Sequence, residues 1–124
     1  MSTIIATTLS NGTVSVPTAT VVNGSAKAWV NFNGTGTVAI RDSFNTSSIT
    51  DNGTGDYTVN FTTAMPDVNY AVGLAASDIA YGTVPYIYLT ATTLAGSCRF
   101  QNRGNEGASP ILRDVDIFAV SIFR

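Results

Sequence analysis

Between Ala26 and Leu74 the chain sets short runs of alternating apolar and polar residues between Asn-Gly pairs, and this pattern restricts it to a β fold. Four such pairs punctuate the N-terminal half: Asn11-Gly12, Asn23-Gly24, Asn33-Gly34 and Asn52-Gly53. Both residue types tolerate positive φ, which tight hairpin turns require. Two pairs extend to the same tetrapeptide, Asn33-Gly34-Thr35-Gly36 and Asn52-Gly53-Thr54-Gly55, nineteen residues apart. The residues around them differ, so the repeat reads as shared turn chemistry and not as a solenoid. The same stretch holds no His, Cys or Glu. It has the parts of a β domain and almost none of the usual catalytic ones.

The strands follow from the alternation. Ala26, Ala28, Val30 and Phe32 share one face, opposite Lys27, Trp29 and Asn31. Thr37 to Arg41 reads as a second strand. Tyr57, Val59 and Phe61 alternate with Asp56, Thr58 and Asn60, a half-buried pattern. Tyr70, Val72 and Leu74 continue after a Met65-Pro66-Asp67 turn, and Tyr86–Thr93 with Ser97–Gln101 reads as a further hairpin. Val115–Phe123 is apolar on both faces, with Ile117 and Phe123 on one and Phe118, Val120 and Ile122 on the other. Two apolar faces predict a central strand or one covered by a partner subunit. Seven to nine short strands predict an all-β, antiparallel β-sandwich or jelly-roll-like domain over residues 26–124. Residues 1–25 are expected as an extended N-terminal arm or as an edge hairpin about Asn11-Gly12, serving attachment or oligomerisation. Val14, Val16 and Val21 need burial there, and a neighbouring chain would supply it.

Composition agrees. At 124 residues the chain is one domain, able to bury roughly two thirds of its unfolded surface. Charged residues are 11% of it, against about 25% in typical soluble domains. Thr, Ser, Asn and Gly supply 50 of 124 residues, so uncharged polar groups do the solvating. A single Lys (Lys27) and a single Glu (Glu106) leave little for helical surfaces. A net charge of −2 with six scattered basic residues excludes nucleic acid as a partner. The opening Met1-Ser2-Thr3-Ile4-Ile5-Ala6 lacks a basic n-region, so neither a signal peptide nor membrane insertion is expected.

Catalytic readings fail on chemistry. Without His, nucleophilic triads in their common forms and His/Cys zinc sites are excluded. Asp51-Asn52-Gly53-Thr54-Gly55-Asp56 has the look of a calcium loop, but Thr62 stands where a bidentate Glu belongs and the flanks are strands. It reads as a hairpin turn. Asp114 and Asp116, two apart beside Arg113, read as a solvated or salt-bridged strand end and not as a glycosidase pair. Cys98, between Ser97 and Arg99, reads as a buried structural thiol. Six Asn-x-Ser/Thr sequons, at Asn11, Asn23, Asn33, Asn45, Asn52 and Asn60, read as turn chemistry and not as glycan sites. The chain is expected to be no enzyme and to carry no metal or cofactor. Two segments have the residues of a ligand site. Residues 77–85 hold Asp78 and Tyr81 beside a Gly; residues 101–114, too Gly-rich for a strand, hold Asn102, Arg103, Asn105 and Glu106. Aromatic faces beside Asn, Asp and Arg suit sugars, through stacking and directed hydrogen bonds. The plainer reading is two ordinary surface loops.

The run from Lys27 to Val72 resembles a module recurrent in tail fibre and related virion proteins of bacteriophages, especially those of marine and cyanobacterial hosts. The residues that carry the resemblance are Lys27-Ala28-Trp29-Val30-Asn31-Phe32, Ile40-Arg41-Asp42-Ser43-Phe44-Asn45, Ser48-Ile49-Thr50-Asp51, Gly55-Asp56-Tyr57-Thr58-Val59-Asn60-Phe61, Met65-Pro66-Asp67 and Tyr70, with the ending Val120-Ser121-Ile122-Phe123-Arg124. The resemblance implies a virion surface component, a homotrimer of β-sandwiches at a fibre tip that contacts a glycan or protein of the host envelope. Such modules usually end much longer fibre proteins, and the short stretch before Lys27 leaves no room for a tail-attachment region and shaft. Three forms are therefore expected: a receptor-binding tip docked on other virion proteins through residues 1–25, a capsid decoration or head-fibre protein held by the same arm, or an excised fragment. The trimeric receptor-binding tail-fibre component is the leading expectation.

Overall fold

In the computed structural model, which describes residues 1–77, 86–106 and 109–124, the strands after residue 25 form two antiparallel sheets packed face to face. In chain order the elements are β1 (Thr8–Ser10), β2 (Ser15–Pro17), α1 (Thr18–Gly24), β3 (Ala26–Asn33), β4 (Ala39–Phe44), β5 (Thr46–Asp51), β6 (Asp56–Phe61), β7 (Ala71–Ser77), β8 (Tyr86–Leu94), β9 (Ser97–Glu106), β10 (Ser109–Leu112) and β11 (Ile117–Phe123). The first sheet has the order β4-β3-β11-β7. In the second, β5 pairs β6 and β6 pairs β9, which also carries β8 and β10. Arg103 lies opposite both Tyr86 of β8 and Leu112 of β10, so these two strands flank it on opposite edges. The protein is an all-β antiparallel sandwich.

The core lies between the sheets and uses the inward half of each alternating pattern. Ala28, Val30 and Phe32 of β3 and Phe118, Val120 and Ile122 of β11 meet Tyr57, Val59 and Phe61 of β6 and Cys98 and Phe100 of β9, all buried. Four rings bridge the layers: Phe32 sits 5.3 Å from Tyr57 and 5.0 Å from Phe118, and Phe100 lies 5.6 Å from Phe118. Edge-on and stacked ring contacts of this kind add to burial, about 0.5–1.5 kcal/mol a pair. β11 is central, between β3 and β7, as its two apolar faces predict.

Several expectations shift. The second strand runs Ala39–Phe44, later than Thr37–Arg41. Tyr70 precedes β7; its ring stands edge-on to Phe61 and its hydroxyl donates to the carbonyls of Leu94 and Ser97 at 3.0 and 2.8 Å. Within the Gly-rich segment 101–114, residues 101–106 and 109–112 are strand and not loop. β9 runs on to Glu106 and β10 returns beside it, because Gly104 lies where a Cβ would stand 2.6 Å from Cδ of Arg113. Here glycine permits a close approach within a strand. β1 and β2 form a hairpin about Asn11-Gly12 that makes a separate two-stranded sheet and not an edge of the sandwich. The helix α1 that follows was not legible in the sequence, and Asn23-Gly24 closes it instead of turning a hairpin.

The sheets are joined at a corner. Asn45, between β4 and β5, has φ +52°; its side-chain amide donates to the carbonyls of Lys27 and Thr63 and its Oδ1 accepts from the Thr63 amide at 2.7 Å. At the far end, Tyr57 is fully buried with its hydroxyl 2.9 Å from the Gly34 carbonyl and bonded to Asp114 Oδ1, which also accepts from the Gly55 amide. Asp114 is therefore a latch between turns. Asp116, also ahead of β11, accepts from Ser77 Oγ at 3.5 Å.

Candidate binding faces

Antiparallel pairing places directly opposed residues on one face, so burying one half of each strand aims the other half outward. On the second sheet the outward half is polar and internally bonded. Asp56 opens β6 opposite Gln101, and its carboxylate takes both Nε and a terminal nitrogen of Arg99, at 2.8 and 2.9 Å, and Nε2 of Gln101 at 2.7 Å. Asn52 adds a longer bond at 3.4 Å. These partners cover Asp56 down to 6% exposure, although it faces away from the core. The Arg99 guanidinium, with Gln101 and Asn52, holds its carboxyl below the usual carboxylate range even against the cost of burial.

The chain of contacts continues to a predicted residue. Arg103 donates to Oε1 of Gln101 at 3.0 Å, and its guanidinium carbon lies 5.7 Å over the ring of Tyr88, which is 48% exposed. Arg and Tyr in this arrangement present a cation, a π face and a phenol together. Farther along the same face, Asn60 donates to Ser48 and Thr50, and Asn52 to Thr58.

Of the other predicted residues, Asn102 does not join this face. Asn102 points inward, 1% exposed; its amide nitrogen donates to the Arg113 carbonyl at 2.9 Å, and its backbone bonds Gly55 and Arg113. It fastens β9 to the segment ahead of β11, and adjacent Asn102 and Arg103 thus serve opposite faces. Asn105 and Glu106 close β9 opposite Pro110 and Ser109. Asp78 and Tyr81 lie outside the described residues; Tyr86, where description resumes, pairs with Arg103. Sequence reasoning missed Asp56, Arg99, Gln101 and Tyr88. The signal was there: Arg99, Gln101 and Arg103 alternate with Cys98, Phe100 and Asn102, a strand period running into the segment assigned to a loop.

The outer face of the first sheet has the opposite chemistry. Trp29 projects from β3 with 37% exposure, opposite Phe44 of β4, itself 54% exposed, and Ser121 of β11. Beside it runs an open groove of about 430 Å³ whose lining includes Trp29, Asn31, Gly73, Ala75, Ala119 and Ser121. Small side chains on β7 and β11 leave the floor low, and the indole stands as a wall. No lining residue is charged.

Comparison with known proteins returns nothing: no family model matches the chain, and no curated protein or solved structure does so. Among the described residues no helix is long and apolar enough to cross a membrane.

Proposed function

We propose that this chain is a bacteriophage virion-surface component that works by binding and not by catalysis, as the receptor-contacting sandwich of a trimeric tail fibre. The phage assignment is supported by the resemblance of residues 27–72, which supply β3 to β6 and the start of β7, and so run through both layers of the sandwich. The observation that carries the binding assignment is the Tyr88–Arg103–Gln101 array on the outer face of the second sheet, where Tyr88 is exposed and Gln101 and Arg103 are half-buried. It offers a hydroxyl, an amide, a guanidinium and a ring on one sheet face, the group set that recognises a polar host glycan. The uncharged Trp29 groove on the opposite face suits burial against other virion subunits. Decoration of the capsid is the second reading, favoured by the exposed apolar residues of the arm, a means of attachment.

The test labels virions with antibody raised against the purified chain and assays adsorption with Tyr88→Ala and Arg103→Ala. Label at fibre tips, with adsorption lost in both variants and circular dichroism unchanged, is the expected result. Label on the capsid with normal adsorption would favour decoration. Unlabelled particles would overturn the virion reading.

A further inference from the structure

We propose that the groove beside Trp29 seats the N-terminal arm of a second copy of this chain. Two apolar surfaces of the molecule are uncovered, and they match. The arm contributes no residue to the buried core. Ile4 and Ile5 are more than 90% exposed, and Leu9, Val14, Val16, Val21 and Val22 are exposed as well. A hairpin of three residue pairs and a seven-residue helix with no buried residue are too small to be stable unsupported. Something must cover them.

Charge and continuity select the occupant. Residues 1–25 contain no Asp, Glu, Lys or Arg, and neither does the lining of the groove, so docking strands no side-chain charge. The arm leads directly into β3, whose Trp29 walls the groove. Lys27, on the same face as Trp29, bonds the carbonyls of Val22 and Ser25 and so ties the root of the arm to the sheet. Beyond that root the arm leaves its own groove open, with Trp29 and Phe44 exposed. Exchange of arms between copies would cover both surfaces at once. The proposal rests on these two surfaces and not on the virion reading, so unlabelled particles would leave it standing.

Trp29 is the only tryptophan, which makes its emission a direct reporter of the groove. Every buried core residue lies between Ala28 and Ile122, so the chain lacking residues 1–24 keeps its whole core. Light scattering should give the full chain a mass that is a multiple of 12.9 kDa. Removing residues 1–24 should leave a monomer with Trp29 emission moved to longer wavelength, and a synthetic peptide of residues 1–24 should reverse that shift saturably. Ala119→Arg in the full chain, which fills the floor of the groove, should also give a monomer; should that variant fail to fold, the deletion and peptide decide. A monomeric full chain, or an oligomer that survives the deletion, overturns the proposal. So does a monomer whose Trp29 emission still shifts on deletion, because the arm would then fold onto its own groove.

Discussion

Two polar side chains at the margins of the core bear on single-residue energetics. Tyr57 is fully buried, and burial together with the nearby Asp114 carboxylate pushes its phenol well above the ordinary value, so it is a neutral donor at any working pH. Tyr57→Phe keeps the ring contacts but strips the Gly34 carbonyl and Asp114 of a shared partner. A loss of about 2 kcal/mol in denaturant unfolding is expected, the range for a buried bond to a charged acceptor. Asp56 makes a pH argument. Its carboxyl titrates lower in the folded chain than in the unfolded one, chiefly through Arg99. Its contribution is therefore complete above the unfolded carboxylate value, about 4, and is lost as the pH falls through the lower folded value. Asp56→Asn should lower stability at neutral pH and flatten the fall below about pH 4 that the parent shows in unfolding midpoints measured across pH. An unaltered acid limb in the variant would mean that another carboxylate sets it.

At the scale of elements, turns show how one dipeptide serves different ends. Gly53 and Gly55 both have positive φ in the β5–β6 turn, but only Gly55 is crowded: a Cβ there would lie 2.5 Å from the Arg113 backbone nitrogen. Gly36 has a similar φ with nothing within 4 Å. Gly55→Ala should therefore cost at least about 2 kcal/mol, and Gly36→Ala only the left-handed backbone penalty of about 1 kcal/mol. Thermal melts of the pair would separate crowding from conformation, and equal losses would refute the crowding argument. This distinction also marks how far the sequence was legible. Period-two alternation identified β3 and β6, because their buried faces impose it, and apolar residues on both faces marked the central β11. Asn-Gly pairs located turns but not their kind, since Asn23-Gly24 ends a helix and Gly34 serves a close approach to Phe118 and Tyr57. The extension of β9 past Gln101 was hidden because glycine suppresses strand propensity, and what it gains at Gly104 is contact with Arg113 from far along the chain. Of the candidate site, Arg103 was legible as a residue type, while its partner Tyr88 and the inward turn of Asn102 depended on register across β8 and β9.

For the molecule as a whole, the arrangement is one core between two outer faces of contrary character, with an arm that adds nothing to that core. Cooperative stability should therefore reside in residues 26–124, and Cys98 offers a way to measure it. The thiol is fully buried on β9 and its pKa is pushed up to about 11 by burial, so the native chain holds almost no thiolate and gives reagent no access. The flanking strands β6 and β8 pair with β9 on both sides of it, opposite Val59 and Thr93. Local fraying at an edge cannot reach a residue so placed; the sandwich must open. Labelling by a thiol reagent should accordingly be slower than in the unfolded chain by the full unfolding equilibrium constant, about 10³ or more for a domain of ordinary stability. The rate should rise with denaturant along the slope of global unfolding. Under conditions where the chain is monomeric, removing residues 1–24 should leave it unchanged, since the arm covers none of the core. Labelling that is fast in native buffer, or that quickens when the arm is removed from a monomer, would show instead that the second sheet opens by itself or draws support from the arm.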